Sequence, residues 1–361
     1  MKKKIYFGTN LKMYKGNAEV VNYLSELSDL ANTIQSNFDI ELFVIPSYTT
    51  LKDSVEVIKN KAADLAIQIG AQNMNPNDNG QFTGDISPLM LKELDVQLVM
   101  IGHSERRYIF KETDQEENEK VLSSLKHGFT TLLCVGETLE QKNYNISDEV
   151  LRSQLKVGLH NVKKEQLSKL WIAYEPVWAI GVNGIPATAE YANEKHVVIK
   201  QCLAELFGDD ANKIPVLYGG SVNFQNASQL IAQPNIDGLF TGRSAWNAKD
   251  FYHLMIDTLK TAQLYSNEEI DDVLLKNNGY TDIAKELMNK LGGKENITAL
   301  THCATRIRVV PFDESKINKL AIEKIDKVKG VFTITNQYQI IFGKTIVDKI
   351  YNELNNLINN N

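Results

Sequence analysis

Short apolar runs alternate with longer segments of helical spacing through the first 262 residues. The runs are Lys4–Thr9, Ile40–Pro46, Leu65–Gln72, Leu98–His103, Thr130–Gly136, Trp171–Glu175, Ile214–Gly219 and Gly238–Gly242. Between them, segments such as Asn17–Ile34, Glu116–His127, Glu149–His160, Ala189–Phe207 and Asn247–Ala262 repeat apolar positions every three or four residues. Strand and helix alternating through eight cycles predict parallel pairing. Roughly 250 residues is the usual length at which such a sheet closes into a (β/α)8 barrel. The pattern then changes. Tyr265–Gly279 is polar, ends in Asn-Asn-Gly and reads as a linker with a helical piece. A helix is predicted at Tyr280–Leu291, stopped by Gly292-Gly293. Short strands follow at Ile297–Cys303, Arg306–Val310, Gly330–Thr335 and Gln337–Gly343, with helices at Asp313–Lys327 and Lys344–Leu357. The fold class is therefore α/β: a barrel over 1–262, a linker over 263–279, and a small α+β domain over 280–361 whose Asn359–Asn361 end is expected to fray.

Composition narrows the functional classes. With 45 acidic and 39 basic side chains among 361 residues, the net charge is −6 and evenly mixed, which invites neither nucleic acid nor a membrane surface. The start, Met-Lys-Lys-Lys and then a strand, lacks a long apolar core, so no signal peptide or transmembrane span is expected. Cys134, Cys202 and Cys303 lie far apart with no CxxC, which fits a reducing cytoplasm and no structural metal or disulfide framework. There is no GxGxxG, and Gly292-Gly-Lys-Glu is not a Walker loop, so neither a nucleotide nor another cofactor is expected.

The candidate chemistry sits at the ends of predicted strands. In Ala173-Tyr-Glu-Pro-Val-Trp-Ala-Ile-Gly181, Glu175 closes a strand, and a segment that could move as a lid follows at once. Proton abstraction beside a carbonyl needs such a carboxylate and exclusion of water. Asn10 and Lys12 follow the first strand; Lys12 offers a cation for charge developing on oxygen. His103 precedes the helical turn Ser104-Glu-Arg-Arg107, where a helix dipole disfavours imidazolium. Gly219-Gly-Ser-Val222 and Thr241-Gly-Arg-Ser244 offer bare backbone N–H groups for a phosphate, with a helix N-terminus expected behind them. Gly181, Ser221, Gly242 and Arg243 are the candidate contacts for substrate.

Asn10-Leu-Lys12, Gly102-His-Ser-Glu-Arg106, Ala173–Trp178 and Tyr218-Gly-Gly-Ser-Val222 together resemble triosephosphate isomerase over residues 1 to about 262. The resemblance implies an aldose–ketose isomerase that interconverts dihydroxyacetone phosphate and glyceraldehyde 3-phosphate through an enediolate. Glu175 would be the base, His103 the electrophile and proton shuttle, Lys12 and Asn10 the electrostatic pair, and Glu105 the support for the lysine. It also implies a homodimer, with Gln81–Asp85 as the loop inserted into the neighbour and Thr83 buttressing the partner's Lys12. Two departures leave a longer ketose phosphate, such as a tetrulose phosphate, as the alternative substrate. The lid reads Gly181-Val-Asn-Gly-Ile-Pro-Ala-Thr188, against a shorter polar tip in the family, and Pro186 stiffens it. Arg243 stands in Gly242-Arg-Ser-Ala-Trp246, where the family carries Gly-Gly-Ala-Ser.

In the last segment, Thr301-His-Cys-Ala-Thr-Arg-Ile-Arg308 places a thiol among cations, which favours thiolate and would stabilise a phosphoryl group on sulfur. Leu291–Ile297, His302–Arg306, Gly330-Val331 and Gln339–Gly343 make residues 280 to 357 similar to the enzyme IIB domain of the glucose-family sugar phosphotransferase system. The resemblance implies that Cys303 takes a phosphoryl group from a phosphohistidine on a IIA partner and passes it to sugar held by a IIC permease, both acting in trans. Thr305, Arg306 and Arg308 would support the phosphocysteine. The pairing of the domains suggests either that the barrel isomerises the imported sugar phosphate or that the IIB unit senses transport and regulates the barrel.

Overall fold

The computed structural model describes residues 3–61, 65–181, 184–274, 279–303, 305–334 and 337–359. Eight parallel strands close in chain order: β1 Lys4–Asn10, β2 Asp39–Ile45, β3 Ile67–Ala71, β4 Leu98–Ile101, β5 Thr130–Val135, β6 Leu170–Tyr174, β7 Val216–Tyr218 and β8 Gly238–Thr241. Closure is made by β8 against β1, with Phe7 opposite Leu239 and Thr9 opposite Thr241. This is the (β/α)8 barrel that the alternation predicts. Phe43, Leu98, Met100, Leu132, Trp171, Leu217 and Phe240 fill its interior, so the barrel is a packed core and its chemistry is confined to the strand ends. Phe43 lies 5.5 Å from Trp171 and 5.6 Å from Phe240, ring centre to ring centre.

Local chemistry sets the helix starts. Thr113 accepts from the N–H of Glu116 while Glu116 accepts from the N–H of Thr113, and this capping box opens the helix Asp114–Lys126. Thr188 caps Ala189–Phe207 through the N–H of Tyr191. The helix Ala248–Leu274 runs through most of the stretch read as a linker. No glycine or proline interrupts it before the turn signal at Asn277-Asn-Gly279. Contacts divide the chain into compact units 1–259 and 260–361.

The second unit is a four-stranded antiparallel sheet in the order β11-β12-β10-β9. Its strands are β9 Ile297–Cys303, β10 Arg306–Pro311, β11 Gly330–Ile334 and β12 Gln337–Ile341. Ile307, Val309, Val331 and Ile340 form its core with Leu287 from the helix Gly279–Lys290 and with Val347 and Ile350 from Lys344–Asn359. The helix expected over Asp313–Lys327 is absent as such. A 3₁₀ turn occupies Glu314–Lys316 and a single helical turn Lys319–Ile322. Asp313 accepts from the N–H of Ser315 and Asn318 from the N–H of Ala321, so each polar side chain starts a fresh turn, and Ile317 between them is extended. Among the described residues, no helix is long and apolar enough to cross a membrane.

Candidate active site

The residues singled out in the barrel converge at the C-terminal strand ends around a cavity of about 330 Å³. Asn10, Lys12, His103, Glu105, Glu175, Gly181, Ser221, Gly242 and Arg243 all line it. A second cavity, about 420 Å³, lies at the opposite strand ends among Lys4, Tyr6, Lys200 and Asp237. It contains the ion pair Lys200–Asp237 and no base paired with an imidazole.

Lys12 follows β1 with φ 51°, a left-handed conformation that costs a lysine roughly 1–2 kcal/mol. Hydrogen bonds hold it there. Its N–H donates to Asn10 Oδ1 at 2.8 Å, and Gln72 Nε2 donates to its carbonyl at 2.8 Å. The Lys12 ammonium then reaches Glu105 Oε1 at 2.7 Å.

His103 caps the short helix Ser104–Tyr108. Its Nδ1 accepts from the backbone N–H of Glu105 at 3.1 Å, an arrangement that requires an unprotonated Nδ1 and so leaves the proton of the neutral ring on Nε2. That nitrogen lies 3.6 Å from Glu175 Oε1. The turn beneath is fastened by Arg107, which donates to the carbonyls of Gly102 at 2.8 Å and Cys134 at 2.9 Å and pairs with Asp114 and Glu117.

Glu175 is 2 % exposed. Its N–H donates to Val135 O at 2.7 Å, and its Oε2 accepts from the N–H of Ser104 at 3.2 Å. Gly136 lets the two strand ends touch, because a Cβ there would lie 1.9 Å from the Glu175 carbonyl oxygen. Cys134 is fully buried beside the carboxylate. Burial pushes its thiol well above the usual range and the Glu175 charge adds to this, so it is no nucleophile.

Three supporting residues escaped the sequence reading: Gln72, Arg107 and Glu137. Fully buried Glu137 accepts from Tyr174 Oη at 3.1 Å, Trp178 Nε1 at 2.9 Å and Tyr191 Oη at 2.9 Å. It thereby ties the start of the lid to the helix behind it. Only its place just after β5 marks it in the sequence. Gly181 has φ 92°, while lid residues 182 and 183 lie outside the described residues. The helix N-terminus expected behind the candidate phosphate glycines is set back: after β7 the next helix starts at Ala227, and after β8 the 3₁₀ turn Arg243–Ala245 precedes the helix that starts at Ala248. The Gln81–Asp85 loop, with Thr83, is exposed.

Residues 5–258 match the family model for triosephosphate isomerase. The chain belongs to the triosephosphate isomerase family. Its second unit carries a further match, residues 285–318, to the phosphotransferase system EIIB family. Within the isomerase family, the chain is 43 % identical over 252 residues to an L-erythrulose-1-phosphate isomerase of Rhizobium etli, covering 70 % of this chain and 91 % of that one. It is 41 % identical over 255 residues to the L-erythrulose-1-phosphate isomerase of Rhizobium meliloti, covering 70 % and 96 %. A triosephosphate isomerase of Fusobacterium nucleatum is 39 % identical over 254 residues, covering 70 % and 98 %. The crystal structure of triosephosphate isomerase from Bartonella henselae superposes with a TM-score of 0.62 at 32 % identity, covering 71 % of this chain and 99 % of that one.

The EIIB match includes Cys303, Arg306 and Arg308. Cys303 ends β9 with Arg306 directly opposite on β10, and Arg308 is opposite Thr301. Residues paired in this way share a face, so the thiol and both arginines lie on the sheet side away from the helices. Arg306 Nη1 donates to Gln339 Oε1 at 2.8 Å. The Thr305 carbonyl accepts from the N–H groups of Phe342 and Gly343 at 3.1 and 3.0 Å, fastening the turn after Cys303. Ala304 lies outside the described residues.

Proposed function

We propose that the barrel isomerises a four-carbon ketose phosphate of the L-erythrulose 1-phosphate type, with Glu175 as base and His103 as proton shuttle. The reading is supported above all by His103 Nε2, which carries the proton and faces Glu175 Oε1 at 3.6 Å, with Lys12 in the same cavity. The choice of ketose rests on the relatives named for L-erythrulose 1-phosphate, at 41–43 % identity over nearly their whole length. The altered lid, Gly181–Thr188, supports the same choice. The motifs alone favoured the triose phosphates; the relatives reverse that order.

The chemistry follows from the substrate. Its phosphate is on C1, its carbonyl at C2, and C3 carries both a hydroxyl and the C4 hydroxymethyl. Glu175 leaves the Ser104 N–H and takes the C3 proton, and the electron pair forms the C2–C3 enediolate. Lys12 stabilises charge on the C2 oxygen while His103 donates from Nε2 and moves a proton between the two oxygens. The worked precedent for a neutral histidine beside a glutamate base is this same family. Glu175 then returns the proton to C2, leaving the carbonyl at C3. A triose phosphate would undergo the same steps but end as an aldehyde.

Cys303 is proposed to carry a phosphoryl group received from a phosphohistidine on a IIA-type protein in trans. The Gln81–Asp85 loop is proposed to dock into a second copy of the barrel. The reading of the barrel is tested by incubating L-erythrulose 1-phosphate with the full chain in D₂O. Deuterium should enter at the reacting carbons, and Glu175→Gln should stop it; exchange at an undiminished rate in the variant would remove Glu175 from the role.

A further inference from the structure

We propose that Arg243 is a phosphate clamp, a side-chain cation that grips the substrate's phosphate dianion beside the backbone N–H groups of Ser221 and Gly242. This rests on the reading that the cavity takes a sugar phosphate. Strands β6, β7 and β8 are consecutive neighbours, and β8 pairs with β1. The loops bearing Gly181, Ser221 and Gly242 therefore form one side of the cavity, and Arg243 is the next residue along that side, toward Lys12. The Arg243 turn is pinned in place: Trp246, which ends it, donates from Nε1 to the carbonyl of Asn10 at 2.9 Å.

Charge separates Arg243 from the other groups of the cavity. Among the described residues, the cations that line it are Lys12 and Arg243, and the carboxylates are Glu105 and Glu175. Lys12 is already paired with Glu105 at 2.7 Å. Arg243 is exposed and has no carboxylate within ion-pair distance among the described residues, so its positive charge is open to a ligand. The dianion also needs that charge here. A helix N-terminus would normally contribute it, and here the helices start several residues beyond the glycines, at Ala227 after β7 and at Ala248 after β8, with only a three-residue turn at Arg243–Ala245 close by. Guanidinium matches phosphate oxygens in a bidentate fork. The fourth carbon hangs on the carbon that faces Glu175, on the far side from the phosphate cradle, so Arg243 grips what all substrates of the site share.

The test compares Arg243→Ala and Arg243→Lys with the parent chain, using triose phosphate, L-erythrulose 1-phosphate, and inorganic phosphate as a competitive inhibitor. Loss of a charge-assisted phosphate contact should raise KM for both sugar phosphates, and Ki for inorganic phosphate, by the same factor of about tenfold to a hundredfold. Lysine should recover part of the loss. A loss confined to the tetrulose phosphate with Ki unchanged would overturn the proposal, because the arginine would then be reading hydroxyls. No change in any constant would overturn it as well. Phosphate affinity measured by calorimetry on the unliganded chain gives the same readout if neither sugar phosphate is turned over, so failure of the clamp and failure of the substrate reading stay distinct.

Discussion

Glu175 is held by neighbours that leave no spare volume, and this makes its position sensitive to single atoms. Gly136→Ala would put a methyl carbon 1.9 Å from the Glu175 carbonyl oxygen, on backbone that cannot yield without opening the β5–β6 pairing. We expect a loss of roughly 2–4 kcal/mol of stability, or a folded enzyme with kcat sharply reduced, read by thermal unfolding and steady-state rates. Glu175→Gln, by contrast, keeps the shape and removes the proposed base; kcat should fall roughly a thousandfold with KM little changed. At this scale the sequence was informative where a residue's role is carried by its own neighbours in the chain. His103 and Glu175 sit in local strings that end strands. Gln72 and Arg107 were not legible, because their roles are contacts across the fold: Gln72 braces a lysine 60 residues away, and Arg107 holds a carbonyl 27 residues on.

Among the elements, the lid depends on one buried carboxylate. Trp178 at its start and Tyr191 on the following helix both donate to Glu137, which joins two segments that the lid must keep in register. Glu137→Gln should lower kcat/KM about tenfold or more, since each hydrogen bond to a charged acceptor contributes about 1.5–3 kcal/mol. Trp178→Phe should cost a similar amount, and the double variant little more than either single one, because both remove the same tie. Fully additive losses would separate Glu137 from the lid. Element reading from the chain worked for the eight strands, whose apolar runs have one interpretation once helices alternate with them. It failed at Asp313–Lys327, where apolar spacing suggested a helix but Asp313 and Asn318 cap two separate turns.

For the whole molecule, fully buried His196 couples barrel stability to pH. It lies on the helix Ala189–Phe207, its Nδ1 lies 2.7 Å from the Ala192 carbonyl, and burial pushes its pKa down to about 4 from 6.5. The folded state therefore binds fewer protons than the unfolded state between those values. Stability is complete above about pH 6.5 and falls as pH drops toward 4, by roughly 3 kcal/mol if the shift is fully expressed. His196→Asn should flatten that slope while lowering stability at pH 7; an unchanged slope in thermal unfolding would remove His196 as its source. In the second unit, Cys303→Ser should abolish label uptake from a phosphorylated IIA donor, and a variant that still takes up label would remove Cys303 as the acceptor. The two-part organisation was visible as the end of the strand–helix alternation. The unbroken helix to Leu274 was not, because its polar composition looked like a linker.

Movement of a carbonyl within a four-carbon sugar phosphate is the activity proposed for this barrel. Steady-state isomerisation by the full chain, with L-erythrulose 1-phosphate and glyceraldehyde 3-phosphate side by side and Glu175→Gln as the blank, tests it most directly. The larger kcat/KM is expected for L-erythrulose 1-phosphate, with none in the blank. A larger kcat/KM for the triose phosphate would contradict it and make the chain a triosephosphate isomerase with an altered phosphate loop.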